Sequence, residues 1–256
     1  MSTTLPQDFA GRAVLVTGSG TGIGKASVEL FAARGAFVGV HYNQSKEKAA
    51  RTLAGIEERG GRGTLLRADL AVPSEAEALV GEFVAAAARL DVLVNNAGTP
   101  VARAKIEDCP LELWNQVIAL NLTGPFLVTK HAIPHLRQSG HGAIVNNLTL
   151  SIQTGGANGA GPYGAAKAGL QVMTRTLARE LAPQVRTNAV MPGVIETAHH
   201  EQFTTPERME QYRKETPLER NGKPEEAAEV IVFLASDAAR FINGALIDIN
   251  GGRFLR

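Results

Sequence analysis

The sequence is poor in cysteine, tryptophan and aromatic residues generally: one Cys, one Trp and an aromatic share of 5% in 256 residues. With Cys109 alone no intramolecular disulfide can form, so nothing points to an oxidising compartment. Neither charge dominates, since 26 Lys and Arg against 25 Asp and Glu leave a formal net charge of +1. That balance argues against a surface built for nucleic acid. No apolar run approaches the ~20 residues of a membrane span, and the first residues lack the basic-then-apolar order of a signal peptide. The expectation is a soluble, cytoplasmic protein.

Glycine is present where it matters. Ala13 to Val16 reads as a short strand buried on both faces, and Gly18, Gly20, Gly22 and Gly24 follow at every second residue before a helix-like run. A strand, a tight glycine turn and a helix N-terminus make an anion site, because free N–H groups and the positive end of the helix dipole face the same point. The spacing is G-x-x-x-G-x-G on Gly18, Gly22 and Gly24, not the general dinucleotide fingerprint.

Six further strand candidates, near 37–40, 64–68, 92–95, 143–146, 186–190 and 245–249, alternate with helices. The helices fall near 23–34, 46–59, 74–88, 111–137, 163–181 and 224–236. Such alternation with short connections predicts a doubly wound parallel α/β sheet of about seven strands in a single domain. Ligands then bind at the carboxyl ends of the strands. The helices 111–137 and 163–181 carry apolar or small residues around more than one stripe. They imply either a deep groove within the chain or, as the favoured reading, a subunit contact in a homo-oligomer, a tetramer or a dimer.

The polar signal collects at the strand ends. Asp69 and Leu70 follow the third strand, Asn95, Asn96, Ala97 and Gly98 close the fourth, and Asn121 interrupts the long helix. After the fifth strand come Thr149, Ser151, a glycine-rich loop, and then Tyr163 and Lys167; after the sixth comes Pro192-Gly193. Tyr163 and Lys167 share one helical face a turn apart. An ammonium ~5 Å from the phenol, at an effective dielectric of ~20, favours phenolate by roughly 3 kcal/mol. That would bring the tyrosine about two pH units below its ordinary ~10 and make it an acid or base near neutrality.

Together Thr17-Gly18-x-x-x-Gly22-Ile23-Gly24, Asp69, Asn95-Asn96-Ala97-Gly98, Asn121, Tyr163-x-x-x-Lys167 and Pro192-Gly193 resemble the classical short-chain dehydrogenase/reductases over nearly the whole chain. The resemblance implies a Rossmann-like fold and hydride transfer between a nicotinamide cofactor and a carbonyl or alcohol. It implies Tyr163 as acid or base and Lys167 on the nicotinamide ribose, depressing the tyrosine pKa. Asn121 would hold a water in a proton relay to Lys167. Asn95, Ala97 and Gly98 would line the adenosine ribose, and Asp69 and Leu70 would meet the adenine. Val194, Ile195 and Thr197 would touch the carboxamide, and 195–216 would form a lid.

One departure stands out. Leu150 occupies the position, thirteen before the tyrosine, where the family commonly has its carbonyl-binding serine. Thr149 supplies a hydroxyl in its place, with Ser151 as the alternative. No carboxylate follows the second strand until Glu47, and Tyr42, Asn43, Ser45 and Lys46 stand there instead. That predicts NADP(H), with NAD(H) as the alternative, although Thr21 replaces the basic residue many NADP-dependent relatives carry in the turn. His131/His135 and His199-His200 lack a third metal ligand at suggestive spacing. The rival function is a dinucleotide-binding regulator or scaffold without turnover.

Overall fold

Along β1 (Ala13–Val16), Val14 and Val16 turn to one side of the sheet and Ala13 and Leu15 to the other. Both sides are covered, which is why the strand has no polar residue at all. The structure, a computed structural model, describes residues 5–156, 159–197 and 204–255. Its seven strands are β1, β2 (Phe37–Tyr42), β3 (Arg62–Arg67), β4 (Val92–Asn95), β5 (Gly142–Asn147), β6 (Val185–Pro192) and β7 (Leu246–Ile249). They lie in the order β3-β2-β1-β4-β5-β6-β7, each pair parallel.

The period of two divides the interior into two layers. Val14, Val16, Val38, Val40 and Val94 meet Val28 and Phe31 of α1 (Gly22–Ala33) and Ile231 and Val232 of α9 (Pro224–Ala235) on one side. Leu15, Leu93 and Ile144 meet Leu79 and Phe83 of α3 (Pro73–Ala87), Leu136 of α5 (Gly124–Gln138) and Leu177 of α7 (Gly161–Glu180) on the other. Each fully buried Leu, Val or Phe contributes about 1.5–3 kcal/mol. The chain leaves β1 toward the first layer and β4 toward the second, so the crevice between their carboxyl ends opens there. α2 (Lys46–Glu58) fills out the β2 flank.

The helix expected over 111–137 runs unbroken but is not α-helical throughout. α4 (Leu111–Ile118) passes through a wide π turn, Ala119–Thr123, into α5. The cause is local: the Asn121 side chain donates to Val117 O (2.9 Å), the acceptor an α-helical backbone would use, and Pro125 has no N–H. Two further helices were not foreseen. α6 (Ser151–Thr154) begins where the Ser151 N–H donates to Thr149 Oγ1 (3.2 Å), and α8 (Pro206–Glu215) is capped by Thr205, whose hydroxyl accepts from the Arg208 N–H. No described helix is long and apolar enough to cross a membrane.

Candidate active site

The glycine turn after β1 is held by its neighbours' backbone and by one imidazole. Gly18 N–H donates to His41 Nδ1 (2.8 Å), and the other ring nitrogen, Nε2, lies 3.1 Å from Ala68 O. Those partners fix the ring as the neutral Nε2–H tautomer, donating to Ala68. Burial holds its pKa down at about 4. His41 N–H donates to Ser19 Oγ and Ser19 N–H to His41 O, closing β2 onto the turn. Nothing in the motif pattern singles out His41; its signal in the sequence is an imidazole next to the last residue of an otherwise largely apolar strand.

On the other side Thr17 Oγ1 accepts from the N–H groups of Asn96 and Ala97, both at 3.0 Å. Asn96 Nδ2 donates to Thr17 O and Gly18 O, and its Oδ1 accepts from Asn147 Nδ2 (2.9 Å). Asn147 O in turn accepts from Lys167 Nζ (2.8 Å). Gly24 is a glycine because this lattice needs its space: a Cβ there would sit 2.4 Å from both Asn96 Nδ2 and Gly18 O. The first turn of α1 has no side-chain cap and no acidic residue. It faces a cavity of about 490 Å³ whose wall also carries Tyr163 and Lys167.

Lys167 is 1% exposed, lies 5.9 Å from the centre of the Tyr163 ring, and has a pKa lowered by burial to about 8. Tyr163 is half-buried, and burial pushes its phenol above the ordinary tyrosine value. The expected depression by lysine is therefore corrected: desolvation outweighs an ammonium that is itself desolvated. A phenol so shifted keeps its proton at neutral pH.

The cavity wall gathers most of the expected residues. Gly18, Thr21, Gly22, Ile23, Gly24, Asn43, Leu70, Ala97 and Gly98 stand at its glycine-turn end. Thr149, Ser151, Tyr163, Lys167, Pro192, Gly193, Val194, Ile195 and Thr197 complete it. Six expected residues are not on that wall, Lys46 in the first turn of α2 being one. Tyr42 packs into the core and Ser45 is exposed at the start of α2. Asp69 Oδ1 accepts from the Ala71 N–H, turning its carboxylate to its own loop. Asn95 is a strut between layers, donating to Thr129 Oγ1 (2.9 Å) and Asn146 Oδ1 (2.8 Å). Asn121 clamps Thr99, accepting from its N–H and donating to its O. It remains close to the lysine, since a Cβ on Gly98 would lie 2.5 Å from Asn121 Oδ1 and 3.0 Å from Lys167 Nζ. Leu150, in the serine's expected position, is buried, with its N–H on Pro192 O. Of the histidines, His131 is exposed and His135 half-buried; His199 and His200, with 198–203 of the expected lid, lie outside the described residues.

A family model described as Enoyl-(Acyl carrier protein) reductase matches residues 18–253. The chain is 40% identical over 244 residues to a 3-oxoacyl-(acyl-carrier-protein) reductase of Synechocystis, covering 93% of this chain and 95% of that one. It superposes on a short-chain dehydrogenase/reductase from Brucella melitensis with a TM-score of 0.91 and 34% identity, covering 98% and 100% of the two chains. The chain belongs to the short-chain dehydrogenase/reductase family. A second family structure, a short chain dehydrogenase from Burkholderia cenocepacia in complex with NADP, matches with a TM-score of 0.89 at 30% identity over 96% of this chain and 99% of that one. As the family's chemistry requires, this chain is an oxidoreductase fold built for a nicotinamide cofactor. Its residues fit that group: an uncapped helix end, a turn without Cβ atoms in the way, and a cavity of dinucleotide scale.

Proposed function

We propose that the protein is an NADP(H)-dependent reductase of carbonyl compounds, reversible as an alcohol dehydrogenase. The observation that carries this is the shared wall: the Tyr163–Lys167 face of α7 and the uncapped end of α1 border one cavity. The N-terminal turn of α1, with Gly22, Ile23 and Thr197, would hold the pyrophosphate. Asn43 and the neighbouring Lys46 would take a 2′-phosphate, and no carboxylate among the described wall residues would repel it. When bound, the cofactor supplies the hydride that reduces the carbonyl carbon.

The remaining chemistry belongs to the chain. Tyr163 donates its phenolic proton to the carbonyl oxygen as negative charge develops there. Thr149 holds that oxygen through its hydroxyl, with Ser151 beside it as the alternative donor. Lys167, charged below about pH 8 and fixed by Asn147 O, places an ammonium beside the phenol and within the pocket of the cofactor ribose. Asn121 steadies the Thr99 backbone and holds a water on the path that restores the proton. The lid around α8 closes over the substrate, and Leu111, Phe126 and Val172 on α4, α5 and α7, exposed here, pack against another copy of the chain. Comparing NADPH with NADH across a panel of aldehydes and ketones tests the proposal. A kcat/KM at least tenfold higher with NADPH is expected; a preference for NADH would overturn the cofactor assignment.

A further inference from the structure

We propose that the substrate carries a carboxylate, bound by Arg208 of α8 and Arg253 of the turn after β7. The proposal rests on the reductase reading above and names the substrate class of the same site. Among the described residues, the charged side chains on the cavity wall are Arg103, Lys167, Arg208 and Arg253, and no carboxylate accompanies them. The guanidinium carbons of Arg208 and Arg253 lie 4.7 and 4.2 Å from the centre of one ring, that of Tyr212. Two cations on a single ring repel each other, and the ring face offsets only part of that.

The acid supply at this spot is short. Arg253 donates to Glu215 (2.6 Å), which lies on α8 but off the cavity wall. Arg208 Nη1 donates to a neutral acceptor, Gln211 Oε1 (2.6 Å), and Glu215 acts on Arg208 only through its charge, so a single carboxylate serves both guanidiniums. Its Nε is buried and receives no hydrogen-bond partner among the described residues. One anion entering the cavity would complete this set. A planar guanidinium fork suits a carboxylate better than a point charge would.

The position fits a substrate group. Arg208 and Arg253 are brought together because Leu218 N–H donates to Gly251 O, tying the end of the α8 segment to the turn after β7. They share the cavity with Thr149, Ser151 and Tyr163. A molecule with its carbonyl at Tyr163 can therefore extend its far end onto the arginines. The cofactor's phosphates are the other source of negative charge, and the experiment must separate the two.

The test is reduction, with NADPH, of unbranched oxo acids from acetoacetate to 7-oxooctanoate, each beside its methyl ester. At least one acid is expected to exceed its ester in kcat/KM by roughly 10- to 100-fold, the range of a charge-assisted hydrogen bond. Arg208→Gln and Arg253→Gln should bring that ratio close to one by raising KM for the acid, and Arg208→Lys should keep part of it. Calorimetric titration of levulinate into NADPH-loaded Tyr163→Phe protein, with and without Arg208→Gln, should show the same loss as weaker binding. Esters reduced as well as acids, or a ratio untouched by both substitutions, would overturn the proposal. So would an effect confined to KM for NADPH, which would give the arginines to the cofactor. Failure to reduce any acid, ester or neutral carbonyl despite NADPH binding would instead defeat the reductase reading, and this proposal with it.

Discussion

The two ends of the cavity are built differently. Around the glycine turn, Thr17, Ser19, His41, Asn96 and Asn147 form a connected set of hydrogen bonds, mostly to backbone, on residues buried or nearly so, with Asn147 Oδ1 left unpartnered among the described residues. At the other end, α8 and the turn after β7 are joined by one backbone bond, Leu218 N–H to Gly251 O, and by the Arg253–Glu215 pair, while the Arg213–Glu210 pair only decorates the exposed surface of α8. Exposed ion pairs of that kind are worth about 1 kcal/mol or less. A rigid end fixes what is common to all turnovers, and a loosely tied end can be refitted to a different substrate without disturbing the sheet. Substitutions should therefore cost rate at one end and stability or cofactor affinity at the other.

The sharpest way to probe that contrast is the residue at the border. Tyr163→Phe should lower the rate of carbonyl reduction by about 10³-fold or more, roughly 4 kcal/mol, while NADPH binding measured by fluorescence stays near wild type. A rate within tenfold of wild type would remove the phenol from the chemistry.

Next in size is the pH response of the rigid end. His41 is buried neutral with a pKa of about 4, against 6.5 in the unfolded chain. Between those values the unfolded chain binds the extra proton, so stability rises with pH. It is fully present above about 6.5 and is lost as pH falls toward 4, by about 3 kcal/mol in all. Denaturant midpoints across that window, with His41→Asn as the comparison, should show a smaller slope in the variant. An identical slope would mean the imidazole carries no such burden.

Gly24→Ala should cost about 2 kcal/mol of stability by crowding Asn96 and Gly18, and should weaken NADPH at least tenfold. If affinity were unaffected, the turn would not be where the cofactor sits. Smallest is the less tightly tied end: Thr149→Val should lower kcat/KM for the carbonyl about tenfold with little change in melting temperature. A larger effect from Ser151→Ala would transfer the oxygen-binding role to Ser151.

These contrasts also explain what could be read in the sequence. The buried strands were legible because their apolar runs are short and bounded by glycine or polar ends, and β4 was placed to the residue. The Tyr163/Lys167 pair and the glycine turn were legible because local spacing alone sets which residues share a helix face or a turn. The adjacent asparagines were not. Asn95, the last residue of β4, goes to the core and Asn96, just past it, to the turn because successive residues of an extended chain face opposite ways, and only the assembled sheet says which way is the cavity. Arg208, Tyr212 and Arg253 were invisible as a group, since Tyr212 and Arg253 stand 41 positions apart and nothing local predicts that α8 folds back onto the last turn.

The account rests on the glycine turn and the Tyr163–Lys167 face serving a single bound dinucleotide. A crystal structure with NADP⁺ tests this most directly. It should show the pyrophosphate at the start of α1, the ribose hydroxyls within hydrogen-bond distance of Lys167 Nζ, and the nicotinamide ring beside the Tyr163 hydroxyl. A cofactor seated elsewhere, or one whose ring lies away from Tyr163, would contradict it.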